Sequence, residues 1–175
     1  TGSLWPSLIA HATLNTITGG TIVYKSATAV STKLLKIFSP YYNLEVNSSG
    51  STYTFNGAIA VANNFTITAG TVDVDSTNSY ALTVSGNYAN SGTFTARSGT
   101  VTLNATATGK TITSGGSSFY NLTLNGVGGG WTLQDNTTVS NVMKISNGTL
   151  DAASTTLTLS GTTGTPASGS GTFTA

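Results

Sequence analysis

The stretch YNLEVNSSGSTYTFNGAIAVANNFTITAGTVDV (42–74) returns, with its apolar positions kept, as YNLTLNGVGGGWTLQDNTTVSNVMKISNGTLDA (120–152). At this offset of 78 residues Val46 aligns with Leu124, and most other apolar residues align with apolar residues. The polar residues between them differ. Conserved apolar spacing with drifting polar residues is typical of a duplicated core framework, so we interpret the chain as two copies of one unit.

Two further matches extend the repeat in both directions. SGTFTA occurs at 91–96 and again at 170–175, and GTIVYKSATA (20–29) resembles GTVTLNATA (99–107). We therefore place the first copy at 20–98 and the second at 99–175, as one continuous domain behind a leader at 1–19.

The apolar residues within each copy alternate with polar ones, as in Phe65 and Ile67, Leu82 and Val84, or the series Tyr120, Leu122 and Leu124. A period of two predicts β-strands with one buried face. The runs are short and end at GG, SGG, NG, SG and GVGGG, which are turn signals.

Two architectures fit many short strands separated by turns. In a β-solenoid each strand stacks on its counterpart in the next coil, so repetition is natural. In a β-sandwich the strands are antiparallel and joined by tight hairpins. We predict an all-β solenoid of two repeats of about 78 residues, with the sandwich as the alternative. Seven or so coils of about 20–25 residues would make a rod about 35 Å long.

The segments LWPSLIAHATL (4–14) and IVYKSATAVSTKLLKIF (22–38) fit this pattern least. The first is apolar and nearly free of glycine, so we expect it to cap an open solenoid end. LLKIF (34–38) shows no counterpart in the second copy, and either segment is a candidate short helix.

The composition excludes several classes of function. Thr, Ser, Gly and Asn make up more than half of the chain, 6% of residues are charged and the net charge is +1. Nucleic-acid binding needs a basic surface, which these few scattered charges do not supply. No run of 18 apolar residues exists, so we expect no membrane span. The absence of Cys excludes disulfides and thiolate metal sites.

Catalytic and metal-binding chemistry has few candidate residues. The single histidine, His11, lies in the irregular leader. Asp73 and Asp75, two residues apart on one strand, would face the same way, as a glycosidase pair or a weak Ca²⁺ site requires. The second copy has Asp151 and Ala153 there, so we interpret Asp73 and Asp151 as turn or strand-end residues. We expect no enzyme activity and no cofactor or metal.

Segments such as SGTFTARSGTVTLNATATGKTITSGGSSFYNLTLNG (91–126) and VMKISNGTLDAASTTLTLSG (142–161) resemble repeats of large bacterial and archaeal surface proteins. These are adhesin-like or autotransporter-like chains whose repeats form right-handed parallel β-solenoids. The resemblance covers about 40–175. It implies an extracellular stalk, filament or adhesin, and it transfers no catalytic residue.

Our main functional hypothesis is therefore an extracellular structural protein, a subunit of a self-assembling filament or an adhesin stalk. The strand at the end of the sequence given continues in the first copy into RSGTVTL (97–103), so we expect it to dock the leader of a neighbouring copy, head to tail. The residues assigned to this contact are Leu4, Trp5, Leu8, Ile9, Thr172, Phe173 and Thr174.

Three alternatives remain open. A glycan-binding adhesin module would use exposed aromatic residues, for which the candidates are Trp5, Tyr24, Tyr41, Tyr42, Tyr80, Tyr88 and Trp131. Ice binding would use aligned Thr-x-Thr strands on one flat face, although the uneven repeat spacing disfavours it. A polysaccharide-active solenoid enzyme would need more clustered charge than the chain has.

Six N-x-S/T sequons are candidate N-glycosylation sites of a secreted chain. They begin at Asn47, Asn64, Asn104, Asn121, Asn136 and Asn147. This number is close to what chance gives in a chain so rich in Asn, Ser and Thr.

Overall fold

The structure is a computed structural model that describes residues 19–29, 40–162 and 167–175, together with the backbone of 33–35. The leader residues Leu4, Trp5, Leu8 and Ile9, and His11, lie outside the described residues. None of the described residues forms a helix of the length and apolar character needed to cross a membrane.

The described residues form fifteen β-strands. In chain order they are β1 (Thr21–Tyr24), β2 (Lys33–Leu35), β3 (Asn43–Phe55), β4 (Ile59–Val61), β5 (Phe65–Asp73), β6 (Leu82–Val84), β7 (Tyr88–Asn90), β8 (Thr93–Thr95), β9 (Thr100–Leu103), β10 (Lys110–Thr113), β11 (Phe119–Leu133), β12 (Thr137–Asp151), β13 (Leu157–Leu159), β14 (Ala167–Gly169) and β15 (Thr172–Thr174).

Every pairing among these strands is parallel, and the chain winds as a β-solenoid of about seven turns. Each strand pairs with strands one turn before and after it, as in Thr21 with Asn43 or Leu82 with Val101. The solenoid prediction is confirmed. The antiparallel sandwich is excluded because all of these pairings are parallel. Parallel neighbours need a connection of many residues between them, and each turn of the winding supplies one.

The pairings sort the strands into three stacks, which we call faces 1, 2 and 3. Face 1 contains β1, the first parts of β3 and β5, β7, β10, and the last parts of β11 and β12, followed by β15. Face 2 contains β2, the second parts of β3 and β5, β8, residues 117–119, the first part of β12, and β13. Face 3 contains Tyr41, β4, β6, β9, the first part of β11, the middle of β12, and β14.

The longest strands are bent at the corners between faces. β3 and β5 each cross one corner, and their pairing shifts register between Asn47 and Thr52 of β3. Gly70 in β5 and its counterpart Gly148 in β12 have φ of 90° and 88°, a conformation that other residues rarely adopt. Equivalent glycines thus make a corner in each copy, but Gly70 lies between faces 1 and 2, whereas Gly148 lies between faces 3 and 1.

Apolar side chains that alternate along the strands fill the interior. Buried core residues come from all three faces, and aromatic rings stack along the axis from turn to turn. The ring centroids of Phe65 and Tyr88 lie 5.6 Å apart, and those of Tyr88 and Phe119 lie 5.1 Å apart. Aliphatic residues in register continue this packing, so the core is one uninterrupted column.

The sequence repeat is out of phase with the turns. Val46 lies in face 1, whereas its counterpart Leu124 lies in face 3. Tyr53 lies in face 2, and its counterpart Trp131 lies in face 1. Each turn of the chain passes through faces 1, 2 and 3 in order, and each passage through a face is one strand position. Matched strands of the two copies are eleven such positions apart, which is three complete turns and two further faces. Each copy is thus rotated by one face from the other.

Four local expectations are wrong. Residues 21–24 and 33–35 are strands, so the helix expected within 22–38 is absent from its described part. The segment LLKIF was expected to lack a counterpart, but its strand β2 corresponds to β10. β2 follows β1 and β10 follows β9, and β1 and β9 are equivalent in the repeat.

The other two errors concern the GVGGG turn and the alternation that begins at Tyr120. GVGGG (126–130) lies within β11, where it forms a register break rather than a separate turn. In the same strand Phe119 is buried and Tyr120 is only partly buried, so the buried series is Phe119, Leu122 and Leu124.

Candidate functional site

The surface formed by β13, β14 and β15 differs most from its counterpart in the first copy. We call it the end surface. β13 corresponds to β6, β14 to β7 and β15 to β8 by the repeat. Phe94 of β8 is 4% exposed, whereas Phe173 of β15 is 47% exposed. Val84 of β6 is fully buried, and its counterpart Leu159 is 36% exposed.

The difference arises because the first-copy strands are covered by the next turn. β9 pairs with β6, so that Leu82 meets Val101 and Val84 meets Leu103. Ser117 Oγ accepts a hydrogen bond from the Phe94 amide at 3.0 Å, and the Phe119 ring packs 6.3 Å from the Phe94 ring. No described residue covers the end surface in this way.

The end surface also lacks charge. Residues 152–175 contain no Asp, Glu, Lys or Arg. Exposed strand edges in soluble proteins are usually protected by charged side chains, often Lys, because unpaired amide and carbonyl groups recruit other strands. Of the residues predicted for assembly, Thr172, Phe173 and Thr174 lie here and are exposed, while those in the leader lie outside the described residues.

The acidic residues serve the fold. Arg97 donates three hydrogen bonds to the Asp73 carboxylate, from Nη2 to Oδ2 at 2.6 Å and from Nε to Oδ1 at 3.1 Å and to Oδ2 at 3.3 Å. The carboxylate raises the pKa of Arg97 by this hydrogen bond and by its charge. Asp73 Oδ1 also accepts the Asp75 amide, as Asp151 Oδ1 accepts the Ala153 amide. The shared turn role predicted for Asp73 and Asp151 is confirmed.

The expected pairing of Asp73 with Asp75 on one strand is wrong. β5 ends at Asp73, and Asp75 follows with φ of 81°. Its Oδ1 accepts the amides of Asn78 at 2.7 Å and Thr77 at 3.1 Å. These bonds, led by that of Asn78, lower the pKa of Asp75. Both carboxylates are therefore engaged by the chain itself, and Arg97 is the basic partner that sequence reasoning missed.

Asp135 was also missed. It joins two turns by accepting the amides of Ser114 at 2.8 Å and Gly115 at 2.7 Å, and the Ser114 hydroxyl at 3.1 Å. Its charge contributes, after desolvation, to a raised pKa of the buried Tyr88. Among the described residues no three His, Cys, Asp or Glu side chains are grouped to hold a metal ion.

Asparagine side chains connect successive turns at one corner, and we call this series the Asn ladder. Asn43 Oδ1 accepts Asn63 Nδ2 and the Asn64 amide, each at 3.0 Å. Asn64 Oδ1 accepts the Asn87 amide, and Asn87 Oδ1 accepts the Thr111 amide. The second copy repeats the first bond at a different corner, where face 3 begins, because Asn121 Oδ1 accepts Asn141 Nδ2 at 2.8 Å.

The six sequons fall into two groups. The side chains of Asn47, Asn64, Asn104 and Asn121 are half-buried, and each makes a hydrogen bond within the solenoid. Asn136 and Asn147 are exposed. Asn147 donates Nδ2 to Asn125, whereas Asn136 uses its Oδ1 to accept the Thr156 amide. Asn136 is therefore exposed, and its hydrogen bond uses Oδ1 rather than the Nδ2 to which a glycan would be attached.

Most candidate glycan-binding aromatics belong to the core. Tyr24, Tyr41, Tyr88 and Trp131 are buried, whereas Tyr42 and Tyr80 are half-buried. Trp5 lies outside the described residues. The described aromatic residues thus form no exposed row of the kind that stacks on sugar rings.

The Thr-x-Thr strands are distributed over different faces. Thr66 and Thr68 lie on face 1, whereas Thr52 and Thr54 lie on face 2. Face 3 carries Thr83, Thr102 and Thr123 in register, but as a single file between Ala60 and Lys144. This arrangement gives a solvated polar surface rather than a two-dimensional Thr array.

The chain was compared with protein-family models, with curated proteins and with solved structures, and it matches none of them.

Proposed function

We propose that the chain is a structural module of an extracellular filament or adhesin stalk, and that it assembles head to tail with copies of itself. The observation that supports this most is the end surface, where Phe173 is 47% exposed while its counterpart Phe94 is buried under the next turn. The proposal assigns a solenoid turn of a second copy to that position.

The energetics favour covering this surface. Complete burial of a Leu or Phe side chain contributes about 1.5–3 kcal/mol. Leu159 and Phe173 are already partly buried. Complete burial of these two side chains and of Leu157 would therefore contribute on the order of a few kcal/mol to association. Among the described strands β13, β14 and β15 pair only with β12, so a further turn would add backbone hydrogen bonds to them. Residues 152–175 carry no charge that would oppose its approach.

The outer surface suits a passive rod. Its outward residues are largely Thr, Ser and Asn, and strands stack about 4.8 Å apart, so about seven turns extend about 35 Å. Threonine has a high β-propensity and stays hydrated without charge. The extracellular location rests on the resemblance to surface-protein repeats and on this composition.

Sedimentation velocity and negative-stain microscopy of the purified chain over a range of concentrations test the proposal. We expect concentration-dependent oligomers and fibres, and we expect Phe173→Ser to reduce both. Val127→Ser is the matched control, because Val127 is 74% exposed and lies on the side of the rod at the corner of β11. A sharp monomer at high concentration with no fibres would contradict the proposal.

A further inference from the structure

We propose that the end surface is a binding site for one further solenoid turn, and that this turn carries three features in a fixed order. They are a basic residue, a strand in which Thr alternates with aliphatic residues and, near the end of the turn, an aromatic residue. Residues 97–119 have this order, and they cover the equivalent surface of the first copy. The inference deepens the proposed assembly and rests on it, because it names the chemistry of the segment that the end surface accepts.

β13 receives the alternating strand. Its equivalent β6 is covered by β9 in a parallel register that joins Leu82 to Val101. By the repeat, Leu157 of β13 corresponds to Leu82. An incoming strand in the same register places its first aliphatic residue beside Leu157 and its second, two residues on, beside Leu159. The backbone hydrogen bonds of such an added strand supply affinity, and the two aliphatic positions supply specificity.

Phe173 sets the aromatic requirement. Its counterpart Phe94 is 4% exposed because the next turn lies over it. In that turn Ser117 Oγ accepts the Phe94 amide at 3.0 Å, and the centroid of the Phe119 ring lies 6.3 Å from that of Phe94. A hydroxyl and an aromatic ring at the same positions of the incoming turn would cover Phe173 in the same way.

Asp151 sets the charge requirement, and it pairs in register with Thr174. Its counterpart Asp73 pairs with Thr95, and the residue two positions further on is Arg97. Arg97 Nη2 donates to Asp73 Oδ2 at 2.6 Å. Among the residues that the structure describes this is the one ion pair, so Asp151 lacks the cation that its counterpart has.

The position of the basic residue in the incoming turn follows from the first copy. Arg97 precedes the first residue of β9, Thr100, by three residues. Asp151 Oδ1 accepts the Ala153 amide, and its side chain is partly exposed, so Oδ2 can accept a guanidinium donor. A basic residue three positions before the incoming strand would therefore lie at Asp151, and residues 152–175 offer no other charge to meet it.

A chain that carries a second copy of residues 97–119 after Ala175 tests the site within one molecule. The hexapeptide SGTFTA ends at 96 and again at 175, so the added segment follows it as it does in the first copy. Hydrogen exchange followed by mass spectrometry reports on the amides of β13 and β15. We expect both strands to exchange roughly tenfold or more slowly than in the chain without the added segment.

The matched control carries Val101→Ser and Leu103→Ser in the added segment only, and we expect it to lose most of this protection. A second variant, with Arg97→Ser in the added segment, should weaken the protection. Asp151→Asn should weaken it to a similar extent, because Asn keeps an acceptor for the Ala153 amide but loses the charge. Combining these last two changes should cause no further loss, since both remove the same interaction.

Equal exchange of β13 and β15 in the extended, control and unextended chains would overturn the site. Additive effects of Asp151→Asn and of Arg97→Ser in the added segment would overturn its charge requirement. Absence of oligomers from the unmodified chain would instead overturn the proposed function. That measurement uses a different chain and a different readout, so the two failures are distinguishable.

Discussion

Phe94 and Phe173 occupy equivalent positions in the two copies of the repeat, within the same hexapeptide SGTFTA, yet one is buried and the other is half exposed. The Phe94 ring lies 5.9 Å from Tyr88 and 6.3 Å from Phe119, which is in the following turn. The contrast isolates the contribution of one covering turn, because the local sequence is the same.

Substitution of the two phenylalanines by alanine should therefore separate stability from assembly. Phe94→Ala should lower the free energy of unfolding by about 3–5 kcal/mol, as expected for a large core residue. Phe173→Ala should lower it by less than about 1 kcal/mol in the monomer. Urea unfolding followed by circular dichroism measures both. Equal losses would show that Phe173 is packed within its own molecule.

Removal of a buried amide that joins two turns should be costly. Asn90 is buried, and its Nδ2 donates to the Ser114 carbonyl at 2.8 Å while its Oδ1 accepts the Gly92 amide at 3.0 Å. Asn90→Ala leaves these groups without partners, so we expect a loss of about 1–3 kcal/mol. Asn147→Ala, at an exposed position, is the control and should change stability by less than about 0.5 kcal/mol. Similar effects of both variants would contradict this role of Asn90.

Acid should weaken the turn that Asp75 caps. The pKa of Asp75 is below its ordinary value of 3.8, chiefly because the Asn78 amide donates to the carboxylate. A lowered folded-state pKa means that the contribution is complete above 3.8 and is lost as pH falls through the lowered value. Asp75→Asn should therefore flatten the fall in unfolding free energy as the pH decreases below 3.8. An unchanged slope in this variant would exclude Asp75 as its source.

Glycan attachment, if the chain is secreted by a host that N-glycosylates, should favour Asn136 over Asn64. Asn136 is exposed, whereas the Asn64 side chain binds the Asn87 amide between two turns. A glycan on Asn64 would displace that contact. Peptide mass spectrometry of the folded, secreted protein should find occupancy at Asn136 that Asn136→Gln removes. Full occupancy of Asn64 in folded protein would contradict this assignment.

The sequence predicted the solenoid because its signals are local and repeated. The alternation of Phe65 with Ile67, and the turns after each short run, determine strands and their buried side. The repeat then favoured stacking over a sandwich. The role of Asp73 and Asp151 was also predictable, since the residues share a motif in both copies.

The division into faces was not predictable because apolar alternation is the same on all three. An offset of 78 residues does not say whether a copy contains a whole number of turns, and here it does not. The Arg97–Asp73 ion pair joins residues 24 apart on successive turns, so it became visible only once the pairing was known. Phe119 and Tyr120 are adjacent aromatics, and alternation alone could not decide which of them is buried.

Helical reconstruction from electron micrographs of fibres grown from the purified chain tests head-to-tail stacking most directly. The account predicts a subunit that rises by about 35 Å along the fibre axis, with strands that are perpendicular to the axis and about 4.8 Å apart. A chain that stays monomeric at every concentration and forms no fibres would contradict it.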